Sequence, residues 1–354
     1  MKGLWTKIYA WVLLMFMLGG MICVVVLSAS ETPLLIKAVV GIALSLVLAP
    51  IVHELGHVIF AKANKMQVQY CKCFCFRFYR KGEKARFGLC NPFAPDETQV
   101  VPKGSYNMQR RAIAYAVGGL VVGGALAVAV LAVCVVAWCM HYTAYFAFGM
   151  LPYTAYLFLL NLMPAEYASG KTDALVVYGL QKGKAAEAAM LNIFRIHGEL
   201  QEGKTFAEIN EEFYFSAPQL PMDEPLYVAT LDLRYHFYLE KEEYEKAYDC
   251  LKRIMAAKDY LFDAEIYDLE REIAYISLLG GNAEALKKST EANPEFWTEN
   301  CVKAKRVLAL YAASAGELER AKLLAAQAEE LLPMLSLEGE RKHEALLINR
   351  ALGV

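Results

Sequence analysis

The chain has 354 residues, of which 57% are hydrophobic, and a formal net charge of −2. Soluble globular domains contain about 45–50% apolar residues. The composition therefore excludes a chain that is an ordinary soluble domain throughout, and it indicates that lipid solvates part of it. The apolar excess lies before Gln181, whereas the rest of the chain is charged and ordinary in composition. We expect a membrane-embedded first half followed by a soluble second half.

Four apolar stretches are long enough to cross a bilayer, which takes about 20 helical residues. They cover approximately residues 8–29, 34–61, 112–140 and 144–163. An alternative interpretation treats residues 1 to about 29 as a cleaved signal peptide, although this apolar run is longer than the usual core of such a peptide. The pattern predicts a polytopic transmembrane helix bundle of about four spans.

Basic residues predict how these spans are oriented. Lys2 and Lys7 precede the first span, and eleven Lys and Arg residues against three acidic ones lie between Lys62 and Arg111. Loops that stay in the cytoplasm carry such an excess, so retention explains this segment better than nucleic-acid binding does. We expect a multi-pass protein of the cell membrane with cytoplasmic N- and C-termini and no nucleic-acid partner.

The nine cysteines do not form a disulfide framework. Their number is odd, three lie in apolar runs, and no CxxC pair occurs, which is typical of reduced thiols. Cys71, Cys73 and Cys75 alternate along a predicted strand, so we expect their thiols about 7 Å apart and packed rather than bound to a metal.

The loop between the second and third spans has strand character. Residues 67–79 are rich in aromatic residues and partly alternate, and residues 81–84 supply a turn before a second short run at 85–89. This pattern predicts a small membrane-associated β-hairpin. Its edge strand is a candidate to hold an extended peptide by strand addition, and the alternative is a purely supporting role.

The chain after residue 180 shows helical periodicity. Three similar segments, 243–247, 281–285 and 316–321, end in alanines that lie 36 to 38 residues apart. This spacing resembles tetratricopeptide helical hairpins, whose period is about 34 residues. We therefore divide the chain into a transmembrane domain, 1–180, and a soluble α-solenoid, 181–354. Such repeats bind proteins or peptides, so a cytoplasmic partner is expected; the alternative is a domain that only stabilises or oligomerises the protein.

The most specific motif is His53-Glu54-Leu55-Gly56-His57 in the second span. Residues i and i+4 share one face of a helix, so both imidazoles can bind one zinc ion. Zinc lowers the pKa of a bound water to about 7, and Glu54 is placed to accept its proton. The alternative is a polar helix end at the membrane interface, but ionisable groups within a bilayer are costly and mark functional sites.

Catalytic zinc needs a third protein ligand, with the fourth position left to water. The last span ends at Asn161-Leu162-Met163-Pro164, and two acidic residues follow it, Glu166 and Asp173. The charge pattern places this segment on the cytoplasmic side, where the second span also ends. Either carboxylate can therefore meet the two histidines.

These motifs resemble those of the site-2 protease family of intramembrane zinc metalloproteases. The resemblance covers about residues 34–180: an HExxH pattern within a span, then Asn161-x-x-Pro164 and Asp173 at the end of a later span. A basic loop between them and a glycine-rich third span agree with it. The family aspartate is usually followed by glycine, whereas Ala174 follows here.

The resemblance implies both the site and the activity. One zinc ion would be bound by His53, His57 and Asp173, with Glu54 as the general base and Asn161 in contact with substrate. The expected reaction is hydrolysis of peptide bonds in or near transmembrane segments of membrane protein substrates. The alternative function is a catalytically inactive membrane scaffold that acts through its helical repeats.

Overall fold

The computed structural model describes residues 3–82, 84–92, 94–167 and 170–353. Lys2, which contributes to the predicted orientation, and Glu83, in the predicted turn, lie outside the described residues. The fold is mainly helical with a small antiparallel sheet. The chain forms two compact units, which comprise residues 1–79, 85–101 and 107–187, and residues 80–84, 102–106 and 188–354. The predicted boundary after residue 180 falls inside a helix, Asp173–Lys182.

Four helices of the first unit are long and apolar enough to cross a membrane. They are α1 (Leu4–Ser28), α2 (Thr32–Ala63), α3 (Met108–Cys139) and α4 (Tyr145–Leu162). All four coincide with the predicted spans. The helices α1 and α3 begin four residues earlier than the predicted spans do, because backbone hydrogen bonding continues through the residues that flank each apolar run.

The helix α2 packs through small residues. Its buried face carries Ala38, Gly41, Ser45 and Ala49 at helical spacing. A Cβ atom on Gly41 would overlap the carbonyl oxygen of Phe146 in α4. Small residues permit such close backbone approach between membrane helices. Because the same face continues into the HExxH segment, the packing of α2 fixes where that motif lies.

A four-stranded sheet connects α2 and α3. Its strands are β1 (Met66–Cys73), β2 (Phe76–Lys81), β3 (Lys84–Leu89) and β4 (Glu97–Pro102), in the order β3-β2-β1-β4. The predicted single hairpin was therefore wrong in extent. The segment expected to be one arm, 67–79, folds into the antiparallel pair β1 and β2, with Cys73 opposite Phe76. The chain reverses at Phe74, whose φ is +54°.

The first unit ends with a short hairpin and one helix. The hairpin strands are β5 (Glu166–Tyr167) and β6 (Gly170–Lys171), with Glu166 opposite Lys171. The helix α5 (Asp173–Lys182) follows at once. The hairpin accounts for the long sequence gap between Pro164 and Asp173, because its two strands run out and back.

The second unit is helical. Its helices are α6 (Ala185–Gln201), α7 (Glu212–Phe215), α8 (Leu226–Glu240), α9 (Tyr244–Ala256), α10 (Asp263–Leu279), α11 (Glu284–Ala292), α12 (Pro294–Trp297), α13 (Val302–Ser314), α14 (Leu318–Leu331) and α15 (Glu338–Ala351). The three repeat-like segments lie at the beginnings of α9, α11 and α14. Each begins the second helix of a helical hairpin, while the solenoid itself stays a prediction.

A buried ion network ties the helices of the second unit together. Arg306 on α13 is fully buried, and its Nη2 lies 2.7 Å from Glu272 Oε1 on α10, while its Nε lies 2.9 Å from Glu344 Oε2 on α15. The guanidinium also lies 4.0 Å from the ring centroid of Tyr275. Removing one partner of such a pair costs about 3–5 kcal/mol because the other charge stays buried. The network therefore fixes the relative positions of these three helices.

Candidate metal centre

The histidines of the HExxH motif meet a carboxylate from the beginning of α5. His53 Nε2 lies 3.2 Å from Asp173 Oδ2, and His57 Nε2 lies 3.4 Å from Asp173 Oδ1. One ligand atom from each of these three residues lies within 4.8 Å of the others. Both histidines are buried. The structure thus brings together three of the residues singled out in the sequence, from positions up to 120 residues apart.

The spacing of these atoms leaves room for a metal ion such as zinc. Two ligands bound at about 2.0–2.1 Å to a tetrahedral zinc ion lie about 3.3 Å from each other, and each imidazole lies at a similar distance from one of the two Asp173 oxygens. Asp173 Oδ2 is buried and accepts no hydrogen bond in suitable geometry, although His53 Nε2 is near it. Two imidazoles and one carboxylate are also a donor set typical of catalytic zinc. The three residues could therefore hold such an ion.

Asp173 is positioned by the residue before it. The hydroxyl of buried Thr172 donates to the carbonyl oxygen of Met163 at 2.7 Å. The Thr172 hydroxyl oxygen, as the N-cap of α5, accepts from the backbone N–H of Leu175. Asp173 is the first residue of α5, where the helix dipole stabilises a negative charge. Burial would raise the pKa of the Asp173 carboxyl, but the adjacent His53 and His57 imidazoles lower it to about 2. The group is therefore a carboxylate.

The helix α3 orients the imidazoles. His57 Nδ1 lies 2.9 Å from the carbonyl oxygen of Tyr115, which favours a proton on Nδ1 and leaves Nε2 free to bind a metal. A Cβ atom on Gly119 would lie 2.5 Å from His57 Nε2 and 2.8 Å from His53 Nε2. Glycine at this position therefore keeps the ligand atoms unobstructed. The glycines of the third span serve both close helix packing and the space around the histidines.

Glu54 is held by a residue that the sequence analysis missed. The Thr98 hydroxyl, on β4, donates to Glu54 Oε2 at 2.7 Å, and both side chains are buried. The hydroxyl of Tyr115 donates in turn to the backbone carbonyl of Thr98. One carboxylate oxygen of Glu54 is thus fixed by the sheet, and the other is left for a reacting proton. Nothing in the residue pattern around Thr98 indicates this contact.

Two further residues predicted for the site lie outside the cluster. Asn161 is half-buried on α4, and its Nδ2 donates to the carbonyl of Leu157 one turn earlier at 3.1 Å; its contact with substrate stays a prediction. Glu166, the alternative third ligand, lies in β5. Among the described residues, the group that could hold a metal contains Asp173 and not Glu166.

The remaining cysteines and histidines take other places. The thiols of Cys71 and Cys73 lie 3.4 Å apart, so the expected separation of about 7 Å was wrong. Both residues lie at the end of β1, whose last residue is Cys73. In the second unit, buried His236 and His343 are hydrogen-bonded to each other at 3.1 Å, and His343 Nδ1 lies 2.9 Å from Glu240. These two are satisfied core histidines.

Comparisons of the chain with protein families, with characterised proteins and with solved structures found no match.

Proposed function

We propose that the protein is an intramembrane zinc metalloprotease of the site-2 type, which hydrolyses peptide bonds in or near the transmembrane segments of membrane proteins. The observation that carries the proposal is the convergence of His53, His57 and Asp173 beside Glu54. The helix α2, which carries three of these residues, is apolar enough to span a membrane. Ionisable side chains within a bilayer are energetically costly, so their presence there indicates a function.

The chemistry follows from the positions of these side chains. A zinc ion held by His53, His57 and Asp173 would supply Lewis-acid activation of water and of the peptide carbonyl. Glu54 accepts a proton from the attacking water, whose oxygen bonds to the carbonyl carbon. Glu54 then passes that proton to the leaving nitrogen as the C–N bond breaks. Thr98 holds Glu54 in one orientation through both transfers.

The sheet supports a way of holding the substrate. A peptide bond in an intact helix is hydrogen-bonded within that helix, so a substrate must be extended before hydrolysis. The strand β4 lies at one edge of the sheet and carries Thr98, which contacts Glu54. An extended segment added to this edge would lie beside the proposed general base. The other edge strand is β3, which lies in the hairpin segment for which strand addition was predicted.

The four apolar helices support a multi-pass membrane protein. With the basic segment between α2 and α3 retained in the cytoplasm, both termini and the second unit are cytoplasmic. The soluble helical repeats then serve as the part that binds a substrate or another protein, as the solenoid prediction implies.

The test is cleavage of single-pass model proteins by the full-length chain reconstituted in liposomes. Glu54→Gln is expected to lower the rate by about 10²- to 10⁴-fold, the usual contribution of a general base, without altering the fold. The control Glu330→Gln changes an exposed carboxylate on α14 and should retain activity. Equal rates for wild type and Glu54→Gln would overturn the proposal and favour the inactive scaffold.

A further inference from the structure

The second unit contains a groove of about 570 Å³ that the proposed chemistry does not use. It lies between α8 and α10, and residues of α9 form its floor. Residues 222–225 and 260–262 line it together with residues of α8, α9, α10 and α13. The volume is sufficient for several side chains of a bound peptide.

The floor of the groove is apolar and its rim is aromatic. Leu251, Ile254 and Leu269 are buried at the bottom. At the rim, the side chains of Tyr260 and Phe262 are 62% and 80% exposed. Exposed aromatic side chains beside an apolar floor are typical of surfaces that bind a partner. This arrangement requires a ligand with apolar side chains.

The charge of the groove is acidic. Six carboxylate residues line it, and Lys303 is the only basic residue among the described residues of the lining. Lys303 Nζ lies 3.7 Å from Glu272 and 3.9 Å from Asp268, so its charge is already balanced. Asp268 also pairs with Arg271, and Glu272 with Arg306. The excess negative charge therefore belongs to the other carboxylates.

Three of those carboxylates, Asp223, Asp232 and Glu265, form what we term the acidic rim. Asp223 and Glu265 are exposed, and the side chain of Asp232 is 50% exposed. His236 Nε2 lies 3.8 Å from Asp232, but burial and the neighbouring His343 hold the pKa of His236 well below its usual value, so that imidazole is neutral. A ligand cation would thus be stabilised by all three carboxylates, and by the rim aromatics through cation–π contacts.

We propose that this groove binds the Lys/Arg-rich juxtamembrane segment of a membrane protein, through apolar side chains on the floor and basic side chains on the acidic rim. The identity of the segment rests on the proposed function, in which the substrate is a membrane protein and the second unit is cytoplasmic. Cytoplasmic flanks of transmembrane segments are enriched in Lys and Arg, so charge complementarity selects this part of a substrate. The groove would then recruit substrates independently of the peptide bond that is cut.

The binding test uses the full-length Glu54→Gln protein in detergent micelles, so that no probe is cut. Fluorescence anisotropy measures a labelled 16-residue amphipathic peptide of Leu, Ala and Arg, and the same peptide with Gln at every Arg. The Arg peptide is expected to bind at least about tenfold more tightly, which corresponds to about 1.4 kcal/mol, and to weaken with added salt. Equal affinity for the two peptides would overturn the proposal.

Charge-reversal variants test whether the peptide binds in the groove. We expect weaker binding of the Arg peptide, by roughly fivefold or more, in Asp232→Lys and in Asp223→Lys, which lies in an exposed loop. Each substitution reverses a charge at the acidic rim. The control Glu330→Lys reverses an exposed charge on α14, outside the groove, and should leave affinity unchanged. If Glu330→Lys weakens binding as much as the rim variants do, the attraction is nonspecific and the groove is not the site.

The groove and the protease are tested separately. Cleavage by the Glu54-containing protein is measured on two model substrates that differ only in a basic or a Gln-substituted cytoplasmic flank. Asp223→Lys should raise KM for the basic substrate alone and leave kcat unchanged. Peptide binding without any cleavage by wild type would contradict the proposed function and keep the groove; cleavage that is indifferent to the flank and to Asp223→Lys would contradict the groove.

Discussion

The hydroxyl of Thr98 donates to Glu54 in a buried environment, where an unsatisfied carboxylate oxygen costs more than at the surface. The contact leaves the other oxygen of Glu54 to exchange protons. Thr98 therefore acts as a positioning residue for the proposed general base. Loss of this hydrogen bond should therefore lower the rate of the chemical step and leave the binding of substrate and metal unchanged.

Substitution of Thr98 tests that role. Thr98→Val keeps the shape but removes the donor, so we expect kcat to fall by about 10- to 100-fold, equivalent to about 1–3 kcal/mol for the lost hydrogen bond. KM and zinc content should not change. The conservative variant Thr98→Ser restores the hydroxyl and should recover most of kcat. A Thr98→Val protein as active as wild type would show that the hydrogen bond does not position Glu54.

The sequence indicated the local part of the site and not the part that depends on tertiary structure. His53, Glu54 and His57 follow from one spacing on one helix. Asp173 was favoured over Glu166 partly by a family resemblance, because the residues alone do not reveal how the chain returns after Pro164. Thr98 was missed since its contact depends on the position of β4, which no local pattern encodes.

At the scale of elements, the crossing of α2 and α3 sets the position of the histidines. A Cβ atom on Gly56 would overlap the carbonyl oxygen of Gly118 and lie 3.0 Å from the Cα of Gly119. A Cβ on Gly123, on the same face of α3, would lie 3.4 Å from His53 Nδ1, which is an ordinary contact. Substitution by alanine is therefore expected to have opposite effects on stability at Gly56 and at Gly123.

Gly56→Ala should destabilise the protein by about 1–3 kcal/mol, because the backbones of α2 and α3 must separate. This loss outweighs the gain of about 1 kcal/mol in helix propensity. Gly123→Ala should be neutral or slightly stabilising. Thermal unfolding in detergent micelles, with and without added zinc, measures both. A Gly56→Ala protein that melts at or above the wild-type temperature would contradict the close crossing.

Helices were predicted better than strands for a physical reason. A transmembrane helix satisfies its own backbone hydrogen bonds, so a long apolar run suffices to locate it. Strands depend on partners elsewhere in the chain. The reversal at Phe74 carries neither Gly nor Asn, and β4 is short and half polar, so the hairpin prediction covered only part of the sheet.

For the whole molecule, the four apolar helices and the basic segment between α2 and α3 predict one orientation in the membrane. In this proposed orientation the turn between α3 and α4 lies outside the cytoplasm and the second unit lies inside it. Tyr142 in that turn and Glu330 on α14 are both exposed side chains. They are suitable positions for a labelling experiment because cysteine at either is accessible from its own side only.

Single cysteines introduced into a cysteine-free chain test the orientation. A membrane-impermeant maleimide applied to intact cells should label Tyr142→Cys, and it should label Glu330→Cys only after the membrane is permeabilised. We expect this labelling pattern because loops rich in Lys and Arg stay in the cytoplasm. Labelling of Glu330→Cys in intact cells would reverse the orientation and remove the argument that the acidic groove meets basic cytoplasmic flanks.

The central claim is that His53, His57 and Asp173 bind one zinc ion, and metal content tests it most directly. Mass spectrometry on detergent-purified protein should find one zinc per chain in wild type, in Glu54→Gln and in the control Glu166→Gln, and much less than one in Asp173→Asn. A folded wild-type protein without zinc, or an Asp173→Asn protein that retains it while Glu166→Gln loses it, would contradict the account.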